Sequence, residues 1–308
     1  MRKLFLLLGC GICAASCIDS DYDFGNISTD NIAIGDENSE FKIPLALIRI
    51  GTDEISGNGA DLSTFFNEAD TWLCDPLPDG ATSIDIGRVQ SDPAYFDALT
   101  RGLLQQMKTD DAKMEAVTSL IFDKYRDEFV VPALPTGSIT KEEYQTAFKE
   151  LFRADIGTFY EQLSEQISQT SRQYLSALEQ IEPTNYSIGR IDIDSDMLDM
   201  IIGKAGDDDT VVRLYGTIVS HLPATLQLHP AFQGTAIAFE VTVTPQQTCS
   251  FDPVGITKKD LRQMLDDAQI NISISLRTYS PRTFDPSLKE PIVMQLSMHK
   301  LGALSFDI

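Results

Sequence analysis

The chain has 308 residues, 43% apolar and 23% charged, with 24 Lys and Arg against 46 Asp and Glu and a formal charge of −22. That composition excludes a collagen-like or disordered chain and a polytopic membrane protein, and it leaves room for one large or two ordinary domains. A chain so acidic, without clustered Lys or Arg, is poorly built to neutralise phosphates, so nucleic acid is not an expected partner.

Residues 1–16 read as a signal peptide: Arg2 and Lys3, an apolar run from Leu4 to Ala15, and small residues before Cys17. About 12 apolar residues span only ~18 Å as a helix, short of the ~30 Å hydrocarbon layer, so a permanent transmembrane anchor is not expected. Ala14-Ala15-Ser16-Cys17 resembles the bacterial lipobox, which makes Cys17 the expected lipidation site. Two or more acyl chains there would anchor the protein firmly. Residues 17–40 continue as an acidic, polar tether without helical or strand period. Cys17, Asp21-Tyr22-Asp23-Phe24, Asn26-Ile27-Ser28-Thr29 and Ile43-Pro44-Leu45 resemble the start of Bacteroides-type outer-membrane lipoproteins. The likeness covers roughly residues 1–50, with Asp61-Leu62-Ser63-Thr64-Phe65-Phe66 as an extension. It implies a lipid-anchored place at the bacterial outer membrane and acids after the cysteine acting as a surface-export signal, although Ile18 intervenes. The cell surface is the expected face and the periplasmic face the alternative. About activity the likeness implies nothing.

Phe41–Ile50 reads as a first strand in which Pro44 marks an edge or a bulge. Asp61 can cap a short helix through Phe65 and Phe66, and Ser83–Val89 alternates like a half-buried strand. The period then lengthens. Asp92-Pro93 opens a helix with Phe96, Leu99, Leu103 and Met107 on one face, and Thr109 or Asp110 opens another with Met114, Val117, Ile121 and Tyr125. The stretch Val131–Gly137 stops it. Thr140-Lys141-Glu142-Glu143 is a capping box that starts a run through Tyr144, Phe148, Leu151, Phe159, Leu163, Ile167, Tyr174, Leu178 and Ile181 to Pro183, with Gly157 as a point of division. After Pro183 the period returns to two, with strands expected at Ser187–Asp194, Thr210–Ser220, Thr235–Thr244, Ile270–Tyr279 and Ile292–Asp307, and a short helix from Asp260 to Ala268 capped by Thr257. The fold class that follows is α+β: an antiparallel β-sandwich, immunoglobulin-like or similar, formed by residues 41–91 and 183–308 and interrupted by a helical hairpin or three-helix insertion at about 92–182.

Chemistry is sparse. G-x-S-x-G, G-x-x-x-x-G-K-[ST], H-E-x-x-H and G-x-G-x-x-G are all missing, which weighs against an enzyme, and no cofactor or catalytic residue is assigned. His221, His229 and His299 lack helical metal spacing, and His221 and His229 fall in an expected loop across Pro223. Asp192-Ile193-Asp194-Ser195-Asp196 alternates like a calcium loop, but Met197 stands where glycine should turn the chain and Gly203 where the bidentate acid belongs, so no metal is assigned. Asp207-Asp208-Asp209 reads as a polar hairpin turn. Cys10 and Cys13 leave with the signal, and Cys74 and Cys249 remain either as a disulfide or as two buried thiols. Phe65, Phe66 and Trp72 could face a ligand as an aromatic platform for sugar, as could Tyr279 beside Pro281; the plainer reading is core. Glu161, Glu165, Gln166, Gln169 and Gln173 give the long helical run a polar face that either is solvated or meets a partner. The expected function is a non-enzymatic binding or assembly module, held at the outer membrane by its lipid and meeting a cell-surface protein or a glycan. The alternatives are a glycan-binding or glycan-hydrolysing accessory protein and a carrier of lipid within the sandwich.

Overall fold

The computed structural model describes residues 32–57, 60–129, 139–154, 157–178, 180–189, 195–266 and 268–306. In chain order it runs β1 (Ile32–Ile34), β2 (Glu40–Ile50), β3 (Ser56–Gly57), β4 (Ala60–Asp61), α1 (Leu62–Trp72), β5 (Ile84–Asp85), α2 (Ile86–Ser91), α3 (Pro93–Thr109), α4 (Asp111–Lys124), α5 (Lys141–Arg153) and α6 (Gly157–Ala177). It continues with β6 (Gln180–Gly189), α7 (Ser195–Ile202), β7 (Thr210–Ser220), β8 (Ala224–Phe232), β9 (Val241–Val243), β10 (Thr248–Ser250), β11 (Val254–Thr257), α8 (Lys258–Asp266), β12 (Ala268–Tyr279), β13 (Ile292–Leu301) and β14 (Leu304–Phe306).

Two antiparallel sheets make the sandwich. In the first, β10 and β11 share one edge of β7, followed by β13 and then β2. In the second, β5 and β6 share one edge of β12, followed by β8 and β9. Strand alternation decides what lies inside. Ile270, Ile272, Ile274 and Leu276 of β12, Leu226 and Leu228 of β8, Met294, Leu296 and Met298 of β13, and Leu214 and Ile218 of β7 are all buried in one continuous apolar cluster. Helix α8 packs on both β11 and β12 and so touches both sheets. The fold is therefore α+β, sandwich-like, with a helical insertion. That insertion leaves the sheet undisturbed because β5 and β6, on either side of α2–α6, both return to β12: Asp85 lies opposite Thr278, and Gln180 opposite Ser275.

Many caps fall where the sequence puts them. Asp61 accepts from Thr64 N at 3.0 Å, Asp92 from Tyr95 N at 3.1 Å, and Asp110 from the N–H groups of Ala112 and Lys113. Both halves of the Thr140/Glu143 capping box are present, and Thr257 accepts from Asp260 N at the start of α8. Each such bond satisfies an N–H that the first turn leaves unpaired, and it holds the carboxyls of Asp61, Asp92, Asp110 and Glu143 below their usual range, with Arg88 the largest cause at Asp92. Pro44 lies both at an edge and at a bulge, since β2 ends its sheet and its register on β13 slips beside Leu45.

Five expectations are corrected. Ser83–Val89 is a strand only at Ile84–Asp85, because the Asp85 carboxylate accepts from Arg88 N and starts α2 instead. The long helical run divides into α5 and α6, the second starting at Gly157 as expected, but it ends before Ile181; Pro183 belongs to β6, where the register on β12 shifts between Ile272 and Ile274. The strand expected at Ser187–Asp194 accordingly begins earlier, and residues 190–194 lie outside the described residues together with Val131–Gly137. The expected loop across Pro223 gives way to β8 from Ala224, and Asp207–Asp209 connects α7 to β7 instead of turning a hairpin.

Candidate functional site

Cys17, the acidic tether up to residue 31, Asp192 and Asp194 lie outside the described residues. The aromatic platform is corrected to core: Phe65, Phe66 and Trp72 are 0, 1 and 2% exposed. They occupy the inward face of α1, where Phe66 stacks on Tyr279 at 5.2 Å, Phe65 meets Tyr174 at 6.3 Å and Trp72 sets its edge against Tyr125 at 5.9 Å. Tyr279 is fully buried as well, so none of these rings can receive a sugar. The disulfide is corrected too. Cys74 and Cys249 are free thiols, each with its own surroundings: Cys74 fills the space left by Gly102 on α3, where a Cβ would stand 2.6 Å from its sulfur, and Cys249 on β10 lies 3.6 Å from Thr244 Oγ1. The histidines are dispersed. His221 Nδ1 meets Gln246 at 3.0 Å, His229 lies 3.8 Å from Glu240, and His299 sits on β13. Among the described residues no group of three or more His, Cys, Asp or Glu could hold a metal ion.

Two polar clusters stand out. The first lies at the C-terminal end of α1. Lys113 on α4, 5% exposed, donates to Asp70 O at 2.9 Å, which also accepts from Leu73 N at 3.4 Å, and to Leu73 O at 2.5 Å, the carbonyl of the residue that ends α1. The Tyr279 hydroxyl donates to the Asp70 carboxylate at 2.5 Å, the Arg282 backbone N–H reaches both of its oxygens, and the Arg282 guanidinium pairs with Asp75. Burial pushes Lys113 down to about 8, with Arg282 adding to the shift, and it pushes Asp70, the Tyr279 hydroxyl and the Cys74 thiol up. Perturbed groups like these often mark functional sites. Here the contacts explain them as the tie that fastens the end of α1 to α4 and β12.

The second cluster lies on the outward face of the first sheet. Gln295, Ser297 and His299 alternate along β13, so all three side chains share one face. Across the ladder Ser297 is flanked by Pro44 of β2 and Tyr215 of β7, and His299 by Lys42 and Arg213. His299 is 8% exposed and its ring is sandwiched against Tyr215, with centroids 4.0 Å apart and planes 17° from parallel. Its Nδ1 lies 2.6 Å from Glu40 Oε1 and its Nε2 lies 3.0 Å from Ser297 Oγ. An ionised carboxylate only accepts, so the contact with Glu40 places the ring hydrogen on Nδ1. Nε2 of the neutral ring is then the acceptor, and the Ser297 hydroxyl donates to it. A depression of about 330 Å³ is lined by Pro44, Leu45, Ala46, Leu47, Gln295 and Leu296, of which Leu296 precedes Ser297 on β13 and Pro44 pairs with it. Leu47, directly opposite Gln295, is 55% exposed, in contrast to Ile48 and Ile50 of the same strand, which are buried.

The sequence reading missed this cluster. Ser297-Met298-His299 on an alternating strand announces two polar side chains on one face, but Glu40 lies 259 residues away and is brought beside His299 only by the pairing of β2 with β13.

No family model matches the chain, nor does any curated protein match it. Among solved structures it is similar to a protein of Parabacteroides distasonis ATCC 8503, named as secreted, at 22% identity and a TM-score of 0.26. The match covers 39% of this chain and 38% of that one, so the chain spans well under half of the length of that structure, and the function has to be read from the site.

Proposed function

We propose that the protein is a lipoprotein of the bacterial outer membrane, anchored through Cys17 and facing outward, that binds an apolar, acyl-type ligand on the outer face of its first sheet. The lipobox-like Ala14-Ala15-Ser16-Cys17 and the acids that follow support the anchor. The binding reading is carried by one observation: Leu47 stands 55% exposed in the lining of a depression that is otherwise formed by Pro44, Leu45, Ala46 and Leu296, with Gln295 of β13 as its polar member. An apolar lining with a polar side chain at its edge suits an apolar chain with a polar end. A sugar-binding role loses its support with the burial of Phe65, Phe66 and Trp72, and a carrier of lipid within the sandwich loses its support where the facing side chains of both sheets form one packed cluster.

Two measurements test this. In cells expressing the full chain, Cys17→Ala should move the protein from the membrane fraction to the soluble one; retention in the membrane would sink the anchor. A dansylated medium-chain fatty acid should bind the wild-type protein saturably, and Leu47→Glu should weaken that binding about tenfold or more by placing a charge in the depression. Absence of saturable binding to the wild type would overturn the ligand reading.

A further inference from the structure

From the contacts of Ser297, His299 and Glu40 we infer that Ser297 is a nucleophile for acyl transfer, and that the outer face of the first sheet hydrolyses carboxylic esters whose acyl chain lies against Leu45 and Leu47. The substrate class rests on the acyl-binding reading above; the chemistry does not. Three features carry it. The imidazole is held at both nitrogens by side chains, with a carboxylate at Nδ1 at 2.6 Å and a hydroxyl at Nε2 at 3.0 Å, which is the order that activates a serine. The Tyr215 ring fixes the plane of the imidazole. Ser297 follows Leu296 and pairs with Pro44, both of which line the apolar depression, and Gln295, which lines it too and shares the face of Ser297, carries an amide donor for the oxygen that becomes negative.

The chemistry balances with water as the co-reactant. Ser297 Oγ bonds to the ester carbonyl carbon while its proton passes to His299 Nε2. The bond from that carbon to the alkoxy oxygen then breaks, and the leaving alcohol takes the proton back from Nε2. Water adds to the acyl carbon in the same way, giving a proton to Nε2; the carbon–Oγ bond breaks, Oγ recovers the proton, and the carboxylic acid departs. Each cycle consumes one ester and one water. Ser297 and His299 are the catalytic residues, and Glu40 is a positioning residue that keeps the hydrogen on Nδ1.

The test uses the full-length protein, a short ethyl fluorophosphonate carrying biotin, and p-nitrophenyl butyrate. The adduct should map to Ser297 in the wild type, and hydrolysis should fall to the uncatalysed rate in Ser297→Ala. His299→Ala should slow labelling and hydrolysis about 10²–10⁴-fold. Glu40→Gln should lower kcat with KM unchanged, and Glu40→Asp should recover part of the loss, a split that a structural role for Glu40 would not give. A wild type that is not labelled at Ser297, or a Ser297→Ala variant that still hydrolyses the ester, overturns the inference. The short probe does not need the depression. Labelling of Ser297 without binding of the dansylated fatty acid therefore overturns the acyl-ligand reading alone, and binding without labelling overturns the nucleophile alone.

Discussion

The two polar clusters are assembled alike and end differently. Each joins residues remote in sequence, Tyr279 to Asp70 in one and His299 to Glu40 in the other, and each ties a strand to a separate element. In the interior cluster the lysine's hydrogen bonds finish on backbone carbonyls of Asp70 and Leu73. Those acceptors cannot be vacated without leaving a buried carbonyl unsatisfied, at about 1–3 kcal/mol. The outer chain finishes on the hydroxyl of Ser297, which is half-buried on the outward face of the sheet. Perturbed acidity is strongest in the interior, at Lys113, Asp70 and Tyr279, yet those groups are committed to holding α1 in place. What distinguishes a reactive group from a fastening is where its chain of hydrogen bonds stops.

The largest effect that sharpens this contrast is expected at Phe66. Its ring is 1% exposed and lies 5.1–5.3 Å from the rings of Phe65, Tyr279 and Phe284. Phe66→Ala removes that contact and leaves a cavity where α1 meets β12, so it should cost about 3–5 kcal/mol in urea unfolding. On the outer face Leu47→Ala should stay within about 0.5 kcal/mol, because half of that side chain already faces water. Equal costs at the two positions would break the comparison, since Leu47 would then be contributing to the core.

Local chemistry made part of this fold legible. Caps at Asp61, Asp92 and Thr140 need only the residues of one turn, and β7 keeps the boundaries that its alternation predicts. β8 was hidden by punctuation. Pro223 suggests a loop, yet Ala224, Leu226, Leu228, Pro230 and Phe232 alternate inward, and Pro230 pairs in register with Ile272. The α1 aromatics read most plainly as core, but what covers them was not legible, because their partner Tyr279 arrives from more than two hundred residues downstream. The same distance hides the outer cluster. Ser297 and His299 declare a shared face, but only the β2–β13 register, with Glu40 opposite Leu301 and Lys42 opposite His299, supplies the carboxylate.

Lys113 gives the finer test of the interior half of the comparison. Below about pH 8 both the folded and the unfolded lysine hold the proton, and the folded state bears the cost of a buried charge. As the pH rises past 8 the folded amine releases its proton, whereas the unfolded amine keeps it up to about 10.5, so the unfolded chain binds more protons and stability should climb with pH by up to about 1.4 kcal/mol per unit. The Cys74 thiol, pushed above its usual value by burial, works in the opposite sense above about pH 9, and the raised tyrosines do so above about pH 10. Lys113→Met keeps those groups and removes the amine, so the difference between the two stability curves isolates it to first order. At pH 7 the variant should be less stable by about 1–3 kcal/mol, because the Leu73 carbonyl loses the lysine and the Asp70 carbonyl is left with the Leu73 N–H alone, with relief of the buried charge offsetting part of the loss. Between pH 8 and 10 the gap should widen in favour of the wild type. A gap that stays flat would mean that water reaches Lys113, and that the end of α1 is as open as the face that carries Ser297.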